Sequence, residues 1–218
     1  MMGLHFGSNG TGPKRVLCLG AHCDDIEIGC GGTILRLVEE RPEIEIRWIV
    51  FSGAGTLREE EARKSAAEFL HALPTKTVEV KGFRNAFFPD QWAEIKQEFE
   101  RIRKEFEPDL IFTHYRCDHH QDHRVVSELT WNTFRNHLVL EYEIAKYDGD
   151  LGNPNLFAPL DRDKAKHKVD ALMRHFESQH KREWFTEDTF HAMLRLRGIH
   201  ANAPSGLAEA FHCRKMVI

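Results

Sequence analysis

Short apolar runs at 15–19, 45–51, 77–80 and 110–113 alternate with longer segments whose apolar residues recur every three to four positions. Runs of that length suit strands, and the longer period suits helices. The helical segments are 31–40, with Ile34, Leu35, Leu37 and Val38; 59–73, with Ala62, Ala66, Phe69 and Leu70; and 92–106, stopped by Pro108. A β-α-β-α-β-α-β order leaves few solutions, because parallel neighbours need a crossover and the helix of each crossover must cover the sheet. The expected fold is therefore α/β and Rossmann-like, a mostly parallel twisted sheet with helices on both faces. Ligands of such sheets bind at the carboxyl ends of strands, where the strand order reverses. Further along, 125–134 reads as helix, 138–142 as strand, 149–161 as a Pro- and Asn-rich loop and candidate substrate edge, and 163–176 as helix. A helix, a Gly/Pro/Ser loop and a last strand follow from 189.

The 218 residues suit one α/β core, so residues 15–218 are expected to form a single domain, and the Gly-rich stretch 1–14 reads as a mobile leader. That leader lacks the apolar stretch of a secretory signal, and no apolar run is long enough to span a bilayer. A net charge of -4, with Lys and Arg interleaved with Glu, offers nothing to a polyanion, so nucleic acid and membrane are not expected partners. Five cysteines without CxxC spacing argue against a disulfide framework and fit a cytoplasmic protein. The pattern is compatible with a homo-oligomer.

Chemistry gathers in two places. Gly20-Ala-His-Cys-Asp-Asp-Ile-Glu-Ile-Gly-Cys-Gly-Gly-Thr33 follows the first strand. His22 and Asp25 are three apart and share a face if the chain turns helically there, while Asp24 points elsewhere and is free for proton work. Thr113-His-Tyr-Arg-Cys-Asp-His-His-Gln-Asp-His123 follows the fourth strand. Asp118 with Gln121 resembles a capping box, which starts the next helix at 119 and sets His120 and His123 on one face. Loops after the first and fourth strands meet at the switch point of a doubly wound sheet. His22, Asp25 and His123 then form a two-nitrogen, one-oxygen set suited to Zn²⁺ with one position open. The bland alternatives are separate surface or core histidines, Asp24 as a helix cap, and Asp122 as a first-turn acid favoured by the helix dipole. Cys23 follows His22 too closely to bind the same ion easily and is read as a wall residue.

The two motifs together resemble the PIG-L/LmbE-like deacetylase family, with the likeness running from Val16 to the end of the chain. Arg58-Glu-Glu-Glu61, Tyr142-Glu-Ile, Gly152-Asn-Pro-Asn-Leu-Phe157, Ser178-Gln179, Leu196-Arg-Gly198 and Ala208-Glu-Ala-Phe211 add to it. The resemblance implies a zinc enzyme that removes an acetyl group from an N-acetylglucosamine-type amide. By the same resemblance His22, Asp25 and His123 are metal ligands, Asp24 is the general base, His120 stabilises developing charge, Asp122 orients His120, and Arg58 contacts the substrate, a small N-acyl amino sugar. Two positions depart from the family pattern, Cys23 and Gln121 where proline is usual. Rival readings are a metal-dependent phosphoesterase, which needs a second carboxylate set, an inactive sugar- or metal-binding module, and nucleophilic chemistry at Cys23. Loop 149–161 and the stretch 200–205 are expected to shape the substrate pocket, and His200 is read as a surface histidine.

Overall fold

A computed structural model describes residues 12–217; most of the expected leader, residues 1–11, lies outside the described residues. The elements are β1 (Arg15–Gly20), α1 (Asp25–Glu40), β2 (Glu45–Ser52), α2 (Leu57–Phe69), β3 (Lys76–Phe83), α3 (Trp92–Glu105), β4 (Leu110–His114), α4 (Gln121–Thr133), β5 (Leu138–Tyr142), β6 (Leu156–Pro159), α5 (Arg162–His175), α6 (Glu187–His200) and β7 (Ala208–Cys213). One seven-stranded sheet has the order β3-β2-β1-β4-β5-β7-β6. β3 through β5 run parallel, and β7 pairs antiparallel with both β5 and β6. The mostly parallel α/β fold expected from the sequence is present.

Side chains alternate across each strand, so one run of residues serves two cores. From β1, Val16 and Cys18 join a core with α1, α2, α5 and α6, whereas Leu17 and Leu19 join the opposite core with α3 and α4. α3 buries Ile95, Phe99 and Ile102, four and three residues apart, which is the helical stripe seen in the sequence. Among the described residues no helix is long and apolar enough to cross a membrane.

Three boundaries differ from the sequence reading. α1 starts at Asp25 and runs through Gly29, Gly31 and Gly32, residues that weaken a helix. Close packing explains them: a Cβ on Gly29 would lie 2.2 Å from the Tyr142 ring. α4 starts at Gln121, not 119, because His120 and not Asp118 is its N-cap, accepting the Asp122 amide on its own ring. Loop 149–161 contains β6, which completes the sheet edge against β7.

Candidate metal centre

β1 and β4 are hydrogen-bonded neighbours, Val16 opposite Leu110 through Cys18 opposite Phe112, so the loops that leave their carboxyl ends meet. His22 lies in the first loop, Asp25 opens α1, and His123 lies in the first turn of α4. The His22 amide donates to Asp25 Oδ2 at 2.6 Å, which fixes the turn between them. His22 Nδ1 lies 3.1 Å from His123 Nε2 and 3.4 Å from Asp25 Oδ2, and His123 Nε2 lies 3.5 Å from Asp25 Oδ1. The three residues expected as ligands thus converge on one point.

The remaining ring nitrogens make the point a candidate cation site. His22 Nε2 faces Asp122 Oδ2 at 3.1 Å, and His123 Nδ1 faces Asp118 Oδ2 at 2.9 Å. When neutral, each imidazole gives its proton to a carboxylate and turns a lone pair toward the other ring, the arrangement by which outer carboxylates prepare metal-binding histidines. Two lone pairs at 3.1 Å repel unless a proton or a metal lies between them. Ligand bonds of about 2.0–2.1 Å in a tetrahedral zinc site put donor atoms about 3.3–3.4 Å apart, close to the separations found here. Without a metal, burial works against a proton on His22, but Asp25 and Asp122 outweigh it and raise the ring's pKa to about 10. Burial and the neighbouring His114 depress His123 to about 3. Burial would raise the Asp25 carboxyl, but His123, His114 and His22 hold it well below the usual range.

Donor atoms within 4.8 Å of one another form two groups, His22–His120–His123 and Asp25–His114–His123. They share His123, so they outline one ion position and not the separated pair of a two-metal site. His120 and His114 are less suited to ligate. His120 Nδ1 accepts the Asp122 amide at 3.2 Å, which leaves the proton on Nε2. His114 Nε2 sits between the Ala21 amide at 3.0 Å and Asp25 Oδ2 at 3.1 Å.

Asp24 is buried, makes no side-chain cap bond to α1, and accepts from Arg58 Nη2 at 2.7 Å. Burial raises its pKa and Arg58 opposes that rise, so the carboxylate is paired yet kept basic. Arg58 also donates to Glu61 at 3.0 Å and to Ser178 at 3.2 Å. Much of its guanidinium is therefore committed to the chain, although it lines the cavity where substrate contact was expected. Asp122 departs from expectation. Its carboxylate holds His22 and accepts the amides of Ala86 at 2.7 Å and Phe88 at 3.1 Å, while only its backbone amide touches His120. Side chains two apart on a helix do not face each other, which separates the Asp122 carboxylate from the His120 ring. Burial and His22 keep the His120 pKa below its ordinary value.

The sequence reading passed over three supporting residues. Asp118 orients His123, His114 backs Asp25, and the nearly buried Lys146 reaches Asp118 at 3.0 Å and Asp150 at 2.6 Å. Asp118 and His114 sit inside the second motif, where a carboxylate and a strand-end histidine beside the expected ligands were the available signal. Lys146 follows β5 and had none.

His22, Asp24, Asp25, His120 and His123 floor a cavity of about 840 Å³, walled by the segments after β2, β3 and β5 and by Gln179, Arg182 and Trp184. Cys23 is a wall residue there. Its Sγ donates to the Ser52 carbonyl at 3.5 Å, and burial pushes the thiol up to about 12. Gln121, the other departure, donates to the carbonyl of Ala86, whose φ of 66° is strained for a residue with a Cβ. Neither loop 149–161 nor 200–205 lines the cavity, contrary to expectation. The first is drawn away by Arg197, which grips Glu143 and the Gly152 carbonyl, and His200 bonds Arg197 on the protein surface.

The PIG-L family, described as GlcNAc-PI de-N-acetylase, matches residues 17–134, more than half of the chain. N,N'-diacetylchitobiose deacetylase from Pyrococcus horikoshii is 21% identical with a TM-score of 0.71, over 92% of this chain and 84% of that one. A zinc-inhibited form of teicoplanin deacetylase is 16% identical with a TM-score of 0.69, over 91% and 97%. A 4-carboxy-2-hydroxymuconate hydratase from Pseudomonas putida is also 16% identical, with a TM-score of 0.68 over 94% and 98%. At these identities the likeness is one of fold, and the scaffold hosts more than one chemistry.

Proposed function

Because the chain belongs to the PIG-L family, we propose that it is a zinc-dependent hydrolase that removes an acetyl group from the amide nitrogen of an N-acetylglucosamine-type sugar or sugar conjugate. The observation that carries this reading is the convergence of His22 Nδ1, His123 Nε2 and the Asp25 carboxylate, 3.1–3.5 Å apart, beside the buried carboxylate of Asp24. Those three residues would hold the zinc, which when bound acidifies water and polarises the amide carbonyl.

The chain's own groups supply the rest. Asp24 takes the proton of the attacking water, and the Arg58 contact at 2.7 Å keeps its carboxylate in place. His120, with its proton on Nε2, donates to the oxygen on which negative charge develops. Asp24 or His120 then returns a proton to the leaving amine. Asp122 and Asp118 keep the His22 and His123 rings oriented, and the cavity admits the sugar. Residues 15–218 act as one unit in this scheme.

The test is metal content together with amine release from a panel of N-acetylated sugars and sugar nucleotides, before and after chelation. Release stopped by a chelator and restored by zinc is the expected result. A chain without measurable zinc affinity overturns the proposal.

A further inference from the structure

Two buried carboxylates hold the segment that carries the site histidines. Asp118 Oδ1 accepts the His120 amide at 2.8 Å, Asp118 Oδ2 faces His123 Nδ1 at 2.9 Å, and Asp150 Oδ2 accepts the His119 amide at 2.6 Å. Among the described residues, every hydrogen bond and ion pair of these two side chains ends either on residues 119–123 or on Lys146. The Lys146 ammonium lies 3.0 Å from Asp118 and 2.6 Å from Asp150. Lys146 is 7% exposed, Asp118 3% and Asp150 4%, so water screens the three charges little and the lysine is the cation the two carboxylates share.

The residue type suits the task. A guanidinium is a planar fork that matches one carboxylate, whereas an ammonium on a flexible stem is a compact charge with three rotatable donors. It can therefore bind two carboxylates that arrive from different loops. The path from Lys146 to the metal position is short: Lys146 Nζ to Asp118 Oδ2, Asp118 Oδ2 to His123 Nδ1, and His123 Nε2 toward His22 and Asp25. Its neighbours Ile144, Tyr147 and Asp148 line the cavity, so the same ammonium joins that wall to the metal ligand.

We propose that Lys146 is a positioning residue of the metal centre, which acts through Asp118 to hold the His123 ring where it can ligate. This rests on the reading of His22, Asp25 and His123 as zinc ligands of a hydrolase.

The test compares the full chain with Lys146→Met, Asp118→Asn and the double variant. Removing a buried cation destabilises the fold whatever its role, so the readouts belong to the folded chain. They are zinc affinity, by competition with a chromophoric chelator, and the visible absorption bands of the cobalt(II)-loaded chain, which report ligand geometry. Lys146→Met is expected to weaken zinc about tenfold, the lower end for groups that support a ligand from outside, and to shift the cobalt bands. Because Lys146 acts through Asp118, the double variant should bind zinc no more weakly than Asp118→Asn alone. Unchanged affinity and bands in Lys146→Met, or losses that add in full in the double variant, overturn the assignment. If Lys146→Met does not fold, Lys146→Gln, which keeps an N–H donor without the charge, is read by the same two outcomes. Neither readout needs substrate. A chain that shows the expected metal behaviour but releases no amine loses the hydrolase reading and keeps Lys146 as a positioning residue. Amine release with zinc affinity and cobalt bands indifferent to Lys146 gives the reverse.

Discussion

One helix, α1, serves two buried clusters of charge that differ in purpose. At its first turn Asp25 faces His22 and His123, whose Nδ1 and Nε2 are pointed at each other 3.1 Å apart. Two turns on, the helix meets Lys168 and Glu209. Lys168 Nζ bonds Glu209 at 2.5 Å and the Ile28 carbonyl at 2.6 Å, while Glu209 accepts the Gly32 and Thr33 amides at 2.8 and 2.7 Å. Beside them Arg197 grips Glu143 through two nitrogens at 2.9 and 3.0 Å. Both clusters are buried and highly charged, so neither property marks the active site. In the second, every charge meets its opposite and the adjoining space is small, about 30 Å³. In the first, two ring nitrogens and a carboxylate converge on one point at the floor of a large cavity. Convergence of ligand atoms on a reachable point, and not charge or burial, is what distinguishes a candidate metal site.

If that contrast holds, substitutions in the two clusters must separate chemistry from stability. The largest effect is expected from Asp24→Ala, which should lower turnover by about 10²–10⁴-fold while zinc stoichiometry, read by metal analysis, is unchanged. Retained turnover would remove Asp24 as the base. Lys168→Met should act in the opposite sense. It leaves Glu209 buried without its cation at a cost of about 3–5 kcal/mol in urea unfolding, while the fraction that remains folded binds zinc normally. A loss of zinc affinity there would join the two clusters and break the contrast.

Asp118→Asn sharpens the first cluster from outside it. Replacing the charged acceptor of His123 by a neutral amide should weaken zinc about 10–100-fold in competition with a chromophoric chelator, with little change in unfolding midpoint. The smallest effect belongs to a third cluster, on the surface, where Glu68 joins α2 to α5 through Arg174, His167 and His175. Burial would raise Glu68, but hydrogen bonds from His175, Arg174 and His167 lower it from 4.5 to about 2. A depressed carboxylate contributes stability above its unfolded value that is lost as pH falls through the folded one. The difference in urea midpoint between the wild type and Glu68→Gln should therefore be present at neutral pH and shrink between about pH 4.5 and about pH 2. A difference that is constant with pH would show that Glu68 acts through packing.

Much of this was legible beforehand because it is local or topological. The apolar runs specified β1 to β5 within a few residues, and their alternation with helices placed the ends of β1 and β4 together. His22, Asp25 and His123 followed from that placement. β6 was missed because four residues in a Pro- and Asn-rich stretch carry no period, and it exists only through its pairing with β7. Asp122, given to His120 by the family resemblance, faces His22 instead, a contact with another loop that no local pattern records.

The sequence by itself determined the sheet, the crevice and the identity of the groups gathered there, since periodicity and motif are properties of neighbouring residues. Only the tertiary structure decided which nitrogen of each histidine is free, which carboxylate holds which ring, that Arg58 is paired with Asp24, and which segments wall the cavity. Apart from the Asp118–His123 pair, those depend on contacts between residues 34 or more positions apart, whose distances are set by packing and leave no trace in the local pattern.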